Sequence, residues 1–93
     1  MKKKDIVNLV RQETKLNVKE STDLVSSIFN AITSAVVDGQ TVKIDGFGSF
    51  EAVKRKSREV RNPQNGEIMT IPEYFTPVFR PVKSFKDAVK DSH

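Results

Sequence analysis

The chain has 93 residues, enough for one small domain and few enough that pairing with a second copy has to be considered from the start. It has no cysteine and one histidine, the terminal His93, which excludes disulfides, thiolate zinc sites, His-based triads and multi-His metal centres. Residues 1–51 carry seven cations and seven anions, whereas residues 52–93 carry nine and five, so the whole net charge of +4 is local, and five of those nine cations fall between Lys54 and Arg61.

The opening MKKKDIVNLV begins like a secretory n-region, but Asp5, Asn8, Arg11 and Gln12 interrupt any apolar core, and no later run is long enough to span a bilayer. The expectation is a soluble, cytoplasmic protein with no membrane partner. Ile6, Leu9 and Val10, widened by Val7, follow a helical period and predict a helix over about 3–14. Asn17 followed by Glu20 is a capping-box start for a second helix, which Asp38-Gly39 stops. Its apolar residues Leu24, Val25, Ile28, Phe29, Ile32, Ala35 and Val36 form a stripe too wide for one neighbour. A second copy of the chain is the expected cover.

From Thr41 the period becomes two, with Val42 and Ile44 alternating against Lys43 and Asp45. GFGSF then turns the chain, its glycines permitting the reversal and its Phe47 and Phe50 left for the core with Phe79. The following strand starts as a half-buried one but loses its pattern: Lys54, Lys56 and Arg58 hold one parity, Arg55 and Arg61 the other. A strand charged on both faces cannot lie on a core and predicts a ribbon projecting into solvent. Asn62, Pro63, Gln64, Asn65 and Gly66 turn it, with positive φ expected at both Asn65 and Gly66. A return strand over about 67–72 leads back through Phe75, Val78 and Phe79 to a final helix over about 83–91.

A partner for such a ribbon has to satisfy Lys54, Arg55, Lys56, Arg58 and Arg61 together. The phosphate backbone of DNA does so, and a two-stranded ribbon fits a groove. A rigid apolar ring at the tip, Pro63, can wedge between base pairs and kink the duplex.

The order of two helices, GFGSF, a basic ribbon, RNPQNG, FRP and a terminal basic helix resembles the HU and integration host factor family of bacterial DNA-bending proteins, closest to HU. That family is itself the type example of wedge insertion, so the wedge and the resemblance are one inference rather than two. The resemblance implies an α+β fold over residues 1–93: an intertwined homodimer with a helical dimerisation part (about 1–40), a three-stranded antiparallel sheet per chain with a β-ribbon arm (41–82, arm about 54–74), and a C-terminal helix. It implies minor-groove binding by the arms, with the tip motif on Arg61, Asn62, Pro63 and Gly66, Pro63 as the intercalating residue, and flanking contacts from Lys3, Arg80, Lys83 and Lys86. Gln64 and Asn65 complete the tip. The sequence departs from the family at Lys15 and Val82, where glycine is usual, at Asn65, where threonine is usual, at Thr70, where a basic residue often stands, and at Tyr74 and Phe75, where small and basic residues are expected.

The implied function is a histone-like, nucleoid-associated protein that bends and compacts double-stranded DNA largely without sequence preference, favouring bent, nicked or gapped forms. Two other readings stand beside it. One is a site-specific bending factor like integration host factor, towards which FRP leans. The other is an interaction module that takes an acidic protein by strand addition to the ribbon edge. No enzymatic motif, cofactor or small-molecule site is expected: the carboxylates are scattered over helix faces, and neither a Walker A nor a dinucleotide-binding glycine pattern occurs.

Overall fold

The computed structural model describes residues 1–93, in the order α1 (Lys3–Thr14), α2 (Val18–Val37), β1 (Val42–Ile44), β2 (Gly48–Arg55), β3 (Arg58–Arg61), β4 (Ile68–Ile71), β5 (Tyr74–Pro81) and α3 (Lys83–Ser92). These elements divide into two compact units, Met1–Ala35 and Val36–His93.

In the first unit, α1 has no side-chain cap at its start. Asp5 instead turns back to accept the Lys2 backbone N–H at 2.7 Å. The helix ends on Lys15 in the left-handed region, φ 60°, with its N–H donating to the Arg11 carbonyl at 2.8 Å. A side chain there costs about 1 kcal/mol that glycine would not. The Asn17–Glu20 capping box forms as the sequence predicts: Asn17 Oδ1 accepts the Glu20 N–H at 2.7 Å, and Glu20 Oε1 accepts the Asn17 N–H at 3.2 Å. On the outer face of α2, Lys19 Nζ donates to Asp23 at 2.9 Å, and this hydrogen bond and charge hold the lysine above its usual pKa.

Only Val7 and Val25 are fully buried apolar side chains, and the buried Ser21 has no hydrogen-bond partner for its Oγ. Ile28 and Phe29 on α2 stay 51% and 43% exposed. The wide stripe is not closed by one chain.

In the second unit, β1, β2 and β5 form an antiparallel sheet in the order β1-β2-β5. Gly46, φ 76°, makes the turn that lets the Phe47 N–H donate to the Ile44 carbonyl at 3.1 Å. Gly48 is buried opposite Pro81, where a Cβ would come within 2.6 Å of both the Arg80 carbonyl oxygen and the Phe79 ring. The absent side chain is what allows Phe79 to lie across the strand. Phe79 then sits 4.8 Å from Phe50 and 5.0 Å from Phe47 between ring centroids, and Phe85 of α3 stacks on Phe47 at 5.4 Å. Phe79 nevertheless remains 38% exposed, so the expected core aromatics gather on one face without being enclosed by a single chain.

Candidate nucleic-acid interface

The arm begins as a continuation of the sheet. β2 pairs with β5 from Gly48↔Pro81 to Arg55↔Tyr74, and β3 pairs with β4 from Arg58↔Ile71 to Arg61↔Ile68, with the two ladders in one continuous register. The ladder is interrupted only where Lys56 and Ser57 face Pro72 and Glu73. Pro72 has no N–H to give, which accounts for the break. β2–β3 and β4–β5 are thus two sides of one long hairpin, and the outer part from Arg55 to Arg61 extends about 20 Å.

The register fixes the faces within each ladder. In the inner ladder Lys54 shares one face with its cross-strand partner Phe75 and Arg55 the other with Tyr74, while in the outer ladder Arg58 and Val60 share one face with Ile71 and Met69, and Glu59 and Arg61 the other with Thr70 and Ile68. Cations occur on both faces, as the sequence predicts. The expectation that neither face is apolar needs correction, because Val60, Met69 and Ile71 lie together on the Arg58 face of the outer ladder, with Val60 and Ile71 half-buried. The pattern of β3 alone hides this, since most of the apolar contribution comes from the returning strand.

The tip is closed by its own polar groups. The Asn62 N–H donates to the Glu67 carbonyl at 2.7 Å, and the Gly66 N–H donates to the Asn62 carbonyl at 2.8 Å. Asn62 Oδ1 accepts the Gln64 N–H and Asn65 Oδ1 accepts the Glu67 N–H, both at 2.9 Å. Four bonds therefore fix the turn that carries Pro63. Of the two residues expected at positive φ, only Gly66 is there, at 73°. The loop is longer than a two-residue Asn-Gly hairpin, so one left-handed residue suffices and Asn65 contributes through its side chain instead.

The chain has three ion pairs, and two of them involve candidate contact residues. Arg80 Nε donates to Glu51 Oε1 at 2.6 Å, and Lys54 Nζ lies 3.4 Å from Glu73 Oε1. Arg55, Lys56, Arg58 and Arg61 are exposed without a carboxylate partner. Lys83 opens α3, and Lys86 follows one turn later beside a shallow apolar groove lined by Phe79, Pro81, Phe85 and Val89. Lys3, at the start of α1, belongs to the other compact unit. The structure thus brings Lys54, Arg55, Lys56, Arg58, Arg61 and the tip Asn62–Gly66 onto one element. Glu51 and Glu73, which restrain Arg80 and Lys54, escape a reading of the sequence, because pairing across strands has no local signature.

The family described as "Bacterial DNA-binding protein" matches residues 1–90. The DNA-binding protein HU of Geobacillus stearothermophilus is 43% identical over 90 residues, covering 97% of this chain and 100% of that protein. DNA-binding protein HU 1 of Bacillus subtilis is 40% identical over 89 residues, covering 96% and 97%. This chain belongs to the HU family of bacterial DNA-binding proteins.

Among solved structures, an Anabaena HU–DNA cocrystal structure superposes with a TM-score of 0.90 at 36% identity, covering 96% of this chain and 97% of that one. HU from Thermotoga maritima gives 0.65 at 27% identity, covering 96% and 98%. As a member of the HU family the chain is a DNA-binding protein and not an enzyme. No helix is long and apolar enough to cross a membrane, and no cluster of His, Cys, Asp or Glu could hold a metal ion.

Proposed function

We propose that the protein is a homodimeric, nucleoid-associated architectural factor that grips double-stranded DNA through the minor groove with its two arms, kinks it by inserting Pro63, and thereby compacts or stabilises it. The observation that carries this reading is the arm: four unpartnered cations, Arg55, Lys56, Arg58 and Arg61, lead along a hairpin to a proline on a hydrogen-bonded turn. Phosphate neutralisation supplies affinity without sequence information, and the wedge converts it into bending. Nicked, gapped or already bent DNA lowers the unstacking cost and binds more tightly. The exposed Ile28, Phe29 and Phe79 support a second copy as the cover for both apolar faces.

The test is binding of linear and nicked duplexes of unrelated sequence at two salt concentrations, with end-to-end distance read by fluorescence transfer. Similar affinity for all sequences, tighter binding to the nick and approach of the ends are expected. Pro63→Ala should lose bending while affinity falls less than about threefold; an equal loss of both would remove the wedge. Analytical ultracentrifugation of the free protein should give twice the chain mass of 10.5 kDa.

A further inference from the structure

Phe75 is 70% exposed, at the root of an otherwise strongly charged arm. It belongs to no ring cluster: the aromatic contacts of the second unit join only Phe47, Phe50, Phe79 and Phe85. It lies about 13 Å of strand from Phe79 along β5, so it is not the edge of that cluster. Its rung is also about 27 Å of strand below the Asn62–Glu67 rung that closes the tip, so it cannot act at the base step that Pro63 enters.

The surroundings of Phe75 identify what it would meet. Lys54 is directly opposite it across the strands, and Arg55, Lys56 and Arg58 follow outward along the chain without carboxylate partners. An exposed aromatic ring with a cation directly across from it and further cations along the chain is the arrangement that holds unpaired nucleotides, with the base on the ring and its phosphates on the cations. The pair Lys54–Glu73 is exposed on both sides and 3.4 Å long, so a phosphate can exchange for the carboxylate at little cost. Tyr74, 46% exposed, points to the opposite face across from Arg55 and cannot share the same base.

Resting on the DNA-binding reading above, we infer that Phe75 is a stacking contact for an unpaired or displaced nucleobase, with Lys54 held beside it for the adjoining phosphate. The arm then carries two aids to recognising broken duplex: a wedge at its tip and a base platform at its root.

The experiment compares a fully paired duplex with the same duplex carrying one unpaired 2-aminopurine nucleotide. The unaltered protein should prefer the second, and its binding should quench the 2-aminopurine. Phe75→Ala should lower that preference about tenfold while affinity for the paired duplex stays within about twofold. Phe75→Trp should restore the preference. Because the chain has no tryptophan, this variant supplies a single emitter, which should be quenched by the unpaired nucleotide and not by the paired duplex. Tyr74→Ala should leave the preference within about twofold. If Phe75→Ala keeps the full preference, or the Phe75→Trp emission is indifferent to the unpaired base, Phe75 faces some other partner, such as an acidic protein, and the inference is overturned. Failure of the unaltered protein to bind even the paired duplex would instead overturn the DNA-binding reading and take this inference with it.

Discussion

The inner and outer halves of the long hairpin share one register and one kind of backbone ladder, yet they are built for different surroundings. In the inner half, Gly48, Phe50, Ala52 and Phe79 make a protein surface whose rings touch each other. In the outer half, Arg55, Lys56, Arg58 and Arg61 keep their charges free and the turn is held by asparagine side chains. Backbone pairing is therefore neutral between the two fates. Side-chain content decides whether a stretch of β-hairpin gathers rings against protein or stands out with its charges free, and Pro72 marks the interruption between the two ladders by omitting one N–H.

Two glycines break this comparison most sharply. Gly48→Ala puts a Cβ within 2.6 Å of a backbone oxygen and the Phe79 ring, and should lower global stability by about 3 kcal/mol, seen as an earlier urea midpoint. Gly66→Ala meets nothing within 4 Å but must hold φ 73°, which costs about 1–2 kcal/mol at the tip alone. Its urea midpoint should stay close to that of the unaltered protein while DNA bending falls. A common midpoint for both variants would mean that arm and base unfold as one unit and that the two halves are not independent.

Next in size is the contrast between a free and an engaged arginine. Arg61→Ala removes an unpartnered cation from the arm. It should weaken binding to every sequence about tenfold and make the log–log salt slope shallower by about 0.9 for each phosphate left unneutralised. Arg80→Ala removes a cation already committed to Glu51 at 2.6 Å, so it should cost less than about threefold in affinity. Equal effects would show that the Glu51 pair opens on binding and that Arg80 serves DNA as fully as the arm does.

How far the sequence reveals these features depends on the range of the interaction. The Asn17–Glu20 box, the Gly39 stop and the basic run from Lys54 to Arg61 are set within a few residues and can be read directly. Gly66 is legible for the same reason. Asn65 is not, because an Asn-Gly pair looks alike in a two-residue hairpin and in a longer loop, and only the Asn62–Glu67 closure distinguishes them. The apolar side of the arm, the engagement of Arg80 and the isolation of Phe75 depend on which residue lies across the strand. None of those follows from a single segment, although the constant register from Gly48 to Pro81 makes all of them follow from one pairing.

The smallest expected effect concerns the junction between the halves. Glu73 lies just before β5 on the arm side, where it partly neutralises Lys54, and both side chains are more than half exposed. An exposed pair of this kind contributes at most about 1 kcal/mol to stability, so Glu73→Gln should move the urea midpoint very little. In DNA binding the same substitution has the opposite sign: it releases Lys54 and removes a negative charge beside the phosphate path. Affinity for duplex should rise about twofold, with a slightly steeper salt slope, measured by titration at low and moderate salt. If Glu73→Gln weakens binding instead, the carboxylate is orienting Lys54 towards its phosphate rather than restraining it, and the exposed Lys54–Glu73 pair acts as one working unit of the DNA-facing surface.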